Sequence, residues 1–395
     1  MRKIGIGVLG MGGRGIWFGT RAFLASDERA HVVAFCDLNP LQMQYAVEKT
    51  GLAEVKQYTD LQEMLADPAV EAVVNCTDDP DHVDTAVQVL DAGKHLYLEK
   101  PMAQSVADCD AIIAAWQRRP TVFMVGLELR YCTLCQEMRQ IIDRGDIGSI
   151  KQGIVVDNVS VGGNYYFHGR DRREAYVKSL MLEKGTHSLD LANWFVGAHP
   201  KQVFCSAGLD VFGGDEPNDK RCCDCDRKET CPYAIKPKGF VLDYGAVARE
   251  AEDFCVYAKE ADVDDNCIVL IDYDNGARLT YIENHFTPEY SREFTFIGDK
   301  GKMVAFYNNE QEFVITVTYR HRADQDVYHP PKAAGGHGGG DPMIIREFLD
   351  LVERGEPVAS GIEGARDSAA IAIAALESKK KNLPVTIPPV APVEM

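Results

Sequence analysis

With 395 residues, 46% of them hydrophobic and 26% charged, the chain has an ordinary globular composition and enough length for two or three domains. Its 42 basic and 60 acidic residues give a formal net charge of −18, which argues against the basic face of a nucleic-acid binder. The opening residues already read as a strand rather than a signal peptide, and no apolar run approaches the ~18 residues of a membrane span, so a cytoplasmic protein with buried or metal-binding thiols is expected.

Ile4-Gly5-Ile6-Gly7-Val8-Leu9 reads as a buried strand running into Gly10-Met11-Gly12-Gly13-Arg14-Gly15, which fits G-x-G-x-x-G. In that spacing one glycine permits a tight turn, one lets the backbone approach a pyrophosphate, and one lets the next helix pack on the strand. The helix N-terminus then offers free N–H groups to the phosphates. His31 to Cys36 reads as a second strand ending in Asp37, 22 residues after Gly15. A carboxylate there accepts hydrogen bonds from ribose hydroxyls and repels a 2′-phosphate, which predicts NAD over NADP. Arg14 is the feature that favours a phosphate.

A helix over Asp60 to Asp67, a strand over Val70 to Thr77, a helix from Asp79-Pro80 to Gly93 and a strand over His95 to Leu98 continue the alternation, with Asp79 as an N-cap. The alternation predicts a doubly wound parallel sheet. Ligands bind beyond the carboxyl ends of such strands, where Thr77, Asp78 and Glu99-Lys100-Pro101 fall.

From Glu99-Lys100-Pro101 the chain resembles the glucose-fructose oxidoreductase/inositol dehydrogenase/MocA family. The resemblance is carried by Gly10 to Gly15, Asp37, His82, Ala92-Gly93-Lys94-His95, the Glu-Lys-Pro tripeptide, and Val125-Gly126 with Arg130-Tyr131. It continues through Glu183-Lys184-Gly185-Thr186-His187-Ser188-Leu189-Asp190 and Arg292 to Gly301. It implies an NAD-binding Rossmann domain over 1–125 and an α+β domain over 126–395 with an open, mostly antiparallel sheet. Helix 364–381 is expected to fold back onto the Rossmann domain. The implied cofactor residues are Gly10, Met11, Gly12, Gly13, Arg14, Gly15, Asp37, Thr77, Asp78, His82, Glu99, Lys100 and Pro101. The resemblance further implies a homodimer or homotetramer built through the outer sheet face. Strand-like runs near 150–159, 201–212, 254–258, 267–273, 277–284, 293–298 and 312–318, with helices at 342–354 and 364–381, agree independently with such a second domain.

Oxidation of a carbinol by nicotinamide needs a held cofactor, a nearby carbon and a route for the hydroxyl proton. Lys100 falls where its ammonium can hydrogen-bond the reacting oxygen. Glu183, His187 and Asp190 stand at i, i+4 and i+7 and share one helix face, with Gly185 giving room for a ligand. His187 is the expected proton acceptor, Glu183 orients it or holds a substrate hydroxyl, and Asp190 braces the helix. The family usually has Asp at the Glu183 position, so this carboxylate reaches one methylene further. With the resemblance, these residues imply an NAD-dependent oxidoreductase acting on a secondary hydroxyl of a sugar or cyclitol. Two alternatives stay open: a glycosidase that oxidises, eliminates and re-reduces with the same residues, and an NAD-binding sensor without catalysis.

The loop Asn164-Tyr165-Tyr166-Phe167-His168-Gly169-Arg170-Asp171-Arg172-Arg173 reads equally as a surface loop or as a wall for an anionic sugar. In the second reading Tyr166, His168, Arg170 and Arg173 join Arg130 as substrate residues. His337-Gly338-Gly339-Gly340-Asp341 opens a helix as a turn and N-cap, the alternative being His337 over the substrate. Cys222, Cys225 and Cys231 have the C-x2-C-x5-C spacing of a structural zinc site without its fourth ligand, for which Cys205, His285 and a distant side chain are all candidates; free thiols fit the spacing as well. Cys132 and Cys135 share the CxxC spacing but read as core.

Overall fold

In the computed structural model, which describes residues 2–160, 166–235, 253–308 and 311–390, short parallel strands alternate with helices through the first 125 residues. They are β1 (Ile4–Leu9), β2 (Ala30–Cys36), β3 (Lys56–Tyr58), β4 (Ala72–Asn75), β5 (His95–Leu98) and β6 (Val122–Val125). Their spatial order is β6-β5-β4-β1-β2-β3, with every pair parallel. β1, β4 and β6 are buried along their whole length, as strands covered by helices on both faces must be. The order reverses between β1 and β4, and the crevice beyond their carboxyl ends is where such sheets take ligands.

The turn after β1 can be built only with glycine at its two ends. Gly10 has φ 82°, and a Cβ there would lie 2.6 Å from the Cys76 carbonyl oxygen. A Cβ on Gly15 would collide with the Gly10 carbonyl, so its absence lets the Gly15–Ala22 helix sit directly on β1. A Cβ on Gly12 would meet nothing within 4 Å, which leaves that backbone open to the crevice.

The second layer is a nine-stranded sheet made from β7 (Ile150–Asn158), β8 (Pro200–Gly208), β9 (Asn266–Tyr273), β10 (Arg278–Asn284), β11 (Ser291–Gly298), β12 (Gly301–Tyr307), β13 (Val314–Tyr319), β14 (Gln325–Tyr328) and, after β15 (Val358–Ser360), β16 (Val385–Thr386). Its order is β14-β13-β12-β11-β7-β10-β9-β8-β16, antiparallel except for the β7–β10 pair. One face packs on helices that include Thr133–Asp143, Thr186–Val196 and Ile362–Lys381. The other leaves Ile154, Ile268, Leu270, Ile297 and Val304 exposed.

The C-terminal region returns to the first layer. Ile344, Ile345, Phe348, Leu349 and Val352 of the Gly336–Arg354 helix share a core with Phe23, Tyr97 and Met124. β15 then pairs parallel to β6 as a seventh strand. The Ile362–Lys381 helix packs on Thr186–Val196 and β8 and also reaches the Val106–Arg118 helix. Among the described residues no helix is long and apolar enough to cross a membrane.

The run 254–258 differs from its expected strand. Phe254 makes a single bridge to Arg221, and Val256 is buried against Phe212 and Phe167 in a separate small core. Its apolar character is spent on packing inside a loop rather than on a sheet face.

Candidate active site

Lys100 follows β5 and reaches across to the second layer. Its Nζ donates to Glu183 Oε1 at 2.8 Å and to the Glu183 carbonyl oxygen at 2.7 Å. Both side chains are less than one-fifth exposed. Burial alone would lower the Lys100 pKa, but the neighbouring acids, the Glu183 carboxylate foremost, outweigh it and hold the ammonium above the ordinary lysine value. Burial likewise works to raise Glu183, and Lys100 overcomes it, so that carboxyl stays below its usual value.

Asp79 completes this cluster and corrects an expectation. It caps no helix: Asp78 stands at the cap of the turn Asp79–Asp81 and Asp81 at the cap of the His82–Asp91 helix, neither with a side-chain cap bond. The Asp79 carboxyl instead hydrogen-bonds Glu183, and burial followed by the Glu183 charge pushes it well above the carboxylate range. Asp79 therefore carries the proton that the two acids share.

Glu183 lies in the wide-pitched helical turn Met181–Gly185, which continues as the Thr186–Val196 helix bearing His187. Such widened turns often mark functional positions. His187 is 4% exposed, and its Nδ1 has no hydrogen-bond partner among the described residues. Its Nε2 lies 3.9 Å from Glu128 Oε2, and its ring centre lies 5.0 Å from that of His337. Burial first, then the nearby His337 and Lys100, lower its pKa well below the ordinary value, so it is neutral at pH 7 and able to accept a proton. Gly185 is not there to admit a ligand: a Cβ would clash with the carboxylate of Glu283 and lie 2.7 Å from the Tyr281 hydroxyl.

Glu128 and Asp341 were not anticipated. Glu128 is fully buried; Oε1 accepts from Arg14 Nη2 at 2.6 Å and from Tyr97 Oη at 3.2 Å, while Oε2 has no hydrogen-bond partner among the described residues. Burial, aided by Glu99, pushes its pKa up to about 7. The ligand atoms of Glu128, His187 and His337 all lie within 4.8 Å of one another, and His337 Nδ1 is 2.6 Å from Asp341 Oδ1. His337 has φ 49°, and Gly338 and Gly339 follow at 64° and 91°, so the glycine-rich turn holds the imidazole beside His187 rather than serving only as a cap. The available signal was position: Glu128 lies in the crossing after β6, at the carboxyl end of the sheet.

A carboxyl with a folded pKa near 7 holds its proton longer than an unfolded glutamate, so its contribution to stability falls as pH rises from about 4.5 through 7. Glu128→Gln removes this dependence. The variant should gain up to about 3 kcal/mol on the wild type between pH 4.5 and pH 8, read from denaturant midpoints at both pH values. A pH-independent difference would show that Glu128 titrates normally.

Several expected ligand residues serve as struts. Arg14 turns inward, with Nε at 2.9 Å and Nη2 at 2.5 Å from Glu99 Oε1, so its guanidinium is committed to buried acids rather than to a phosphate. His82 is wholly buried between the Pro101 carbonyl, 2.7 Å from Nδ1, and the Thr77 carbonyl, 3.1 Å from Nε2. Arg130 forms a two-pronged pair with Asp190, at 2.6 and 2.7 Å, and braces the Thr186–Val196 helix. Thr77 Oγ1 donates to Asn75; Asp37 accepts the Met11 and Asn39 backbone N–H groups, each at 2.8 Å, one at each oxygen, and so keeps further lone pairs for a ligand.

The aromatic-basic loop is mostly interior. His168 is 1% exposed, with its ring nitrogens on the Phe254 and Tyr233 carbonyls, and Tyr166 is buried edge-on to His285. Neither is a substrate wall. Arg173 lies 3.9 Å from Glu260 at the surface, and Arg170 pairs with Asp78, tying this loop to the first layer. Asn164 and Tyr165 lie outside the described residues. The candidates for a fourth zinc ligand are elsewhere: Cys205 sits on β8 beside Ser378, and His285 is engaged 2.8 Å from Glu283. Cys132 and Cys135 are buried in the core.

Residues 4–127 match the family profile described as "Oxidoreductase family, NAD-binding Rossmann fold", and residues 139–387 match "Oxidoreductase family, C-terminal alpha/beta domain". YteT of Bacillus subtilis (strain 168), an oxidoreductase by assigned name only, is 25% identical over 85% of this chain and 86% of its own. Inositol 2-dehydrogenase of Salmonella paratyphi B (strain ATCC BAA-1250 / SPB7) is 30% identical over 44% of this chain, which spans about half (48%) of that enzyme. In fold, the chain is similar to levoglucosan dehydrogenase in complex with NADH and levoglucosan, with a TM-score of 0.75, 19% identity, and 98% and 100% of the two chains covered.

Proposed function

The chain belongs to the oxidoreductase family named for glucose-fructose oxidoreductase, inositol dehydrogenase and MocA, and on that premise we propose that it oxidises a secondary hydroxyl of a sugar or cyclitol with NAD. The observation that carries this reading is the convergence of Lys100, from the carboxyl end of β5, with Glu183 and a network around the neutral base His187. A dinucleotide fits the residues present. The Gly10–Gly15 turn leaves the Gly12 backbone open, and Asp37 directly follows β2, where ribose hydroxyls are met in such sheets. Bound there, NAD supplies the hydride acceptor. Lys100 donates to the reacting oxygen and stabilises its developing charge. His187 Nδ1, which no described group occupies, accepts the hydroxyl proton, and Glu128 and His337 beside it carry the proton towards solvent.

The test is NADH formation by the purified protein on inositols, aldoses and anhydrosugars, beginning with myo-inositol and levoglucosan. Turnover on one class supports the proposal. NAD binding without turnover favours a sensor, and aglycone release without net NADH favours the glycosidase reading. Asp37→Ala should weaken NAD binding by ~10–100-fold, the loss of hydrogen bonds to a charged group, while NADP loses less; calorimetry with both dinucleotides measures this. We also propose that the exposed apolar face of Ile154, Ile268, Leu270, Ile297 and Val304 pairs two copies of the chain. Light scattering of the wild type and of Leu270→Lys checks it, dissociation in the variant being expected.

A further inference from the structure

Between β8 and β9 the described residues form no helix and no strand beyond two single bridges, Glu216 to Ala258 and Arg221 to Phe254. This stretch holds five of the twelve cysteines, and four of them, Cys222, Cys225, Cys231 and Cys255, line one cavity of about 20 Å³ with His168 and Tyr233. A space of that size takes one water or one ion. The other cysteine, Cys223, is exposed and does not line it.

The backbone repeats one device at each of the four. The carbonyls of Cys222, Cys225, Cys231 and Cys255 accept the N–H three residues on, from Cys225, Lys228, Ala234 and Ala258, at 3.1–3.2 Å. Each cysteine therefore opens a tight turn, and at two of the four sulfurs a backbone N–H points in. The Tyr257 N–H donates to Cys255 Sγ, and the Ile235 N–H donates to Cys222 Sγ. Arg227 and Lys220 stand beside Cys225 and supply positive charge next to the sulfurs. His168 ties the two limbs together through the Tyr233 and Phe254 carbonyls, so its nitrogens are already engaged.

We propose that Cys222, Cys225, Cys231 and Cys255 bind one structural zinc ion as a tetrathiolate. Cys255 supplies the ligand that the C-x2-C-x5-C spacing lacks, from the opposite limb of the loop. As thiols the four ring the cavity, and no three of their sulfurs lie within 4.8 Å of one another. Coordination at ~2.3 Å draws them inward and releases their protons, with no change of oxidation state. The ion then joins the two limbs of a connection whose described residues form neither helix nor strand beyond the two bridges. This site is separate from Lys100 and His187, and its fate does not bear on the proposed reaction.

Metal analysis of the full chain, purified without chelator, tests it. About one zinc per chain is expected, falling at least about five-fold in Cys255→Ser and holding in Cys223→Ser. Should Cys255→Ser fail to fold, Co²⁺ exchange into the wild type gives the charge-transfer and ligand-field bands of a tetrahedral cobalt thiolate. Metal-free protein with freely reactive thiols, disulfides among these cysteines, or iron with acid-labile sulfide would each overturn the proposal.

Discussion

His187→Asn is expected to lower kcat by ~10²–10⁴, the range lost with a positioned acid–base group. NAD affinity should stay within a few-fold, because the imidazole belongs to the second layer and the glycine turn to the first. Folding stability should change by only roughly 1–2 kcal/mol, since Nδ1 is bonded to no described group and Nε2 is 3.9 Å from its nearest acid. The pH profile gives a second readout. A base works when unprotonated, so its contribution is present above its pKa and lost as pH falls through it. With the His187 pKa held well below 6.5, that acid limb lies below the ordinary histidine range in the wild type. It should vanish in the variant, and free imidazole should restore part of the rate. Full activity in His187→Asn would end the assignment.

Lys100→Met should cost ~10²–10³ in kcat, as removal of a donor to a developing oxyanion does. It also removes the cation that holds Glu183 ionised. Two buried acids, Glu183 and Asp79, are then left to share one site, and breaking such a pair costs about 3–5 kcal/mol. Glu183 can escape part of this cost by taking up a proton, so the penalty is largest at high pH and shrinks as pH falls. Lys100→Met/Glu183→Gln should regain stability but not turnover. Thermal melts at pH 5 and pH 8 beside steady-state rates separate the two effects; rates that recover with stability would make Lys100 a structural residue only.

The first sheet was legible because its signals are local: apolar runs, glycines at fixed offsets and an acid at a strand end. Lys100, Glu183 and His187 were legible for the same reason, each lying inside a short motif. Asp79 and Glu128 were not, because their roles depend on partners far along the chain; Asp341 read only as part of a cap because its partner His337, four residues away, matters only once the fold sets it beside His187. Asp79 beside Pro80 looks like any helix cap until the fold brings Glu183 to it. Arg14 looks like a phosphate ligand because its acids, Glu99 and Glu128, stand 85 and 114 residues away. Composition also misled in the aromatic-basic loop. Arg172 is 1% exposed and bonds Glu260 and two carbonyls, so a run that reads as solvated charge is largely interior. The cysteine spacing brought Cys222, Cys225 and Cys231 together, but the 24 residues from Cys231 to Cys255 hid that Cys255 lines the same cavity.

The return of the C-terminal region has a consequence for how this protein can be taken apart. β15 extends the first sheet beside β6, and the Gly336–Arg354 helix fills that layer's core with Ile344 and Phe348. A fragment stopping near residue 125 would bare an apolar seam around Phe23 and Tyr97 together with an unpaired sheet edge, an invitation to aggregate. Recombining the dinucleotide half with a relative's substrate half therefore requires two separate stretches of chain, one from each end of the sequence, to be transplanted together.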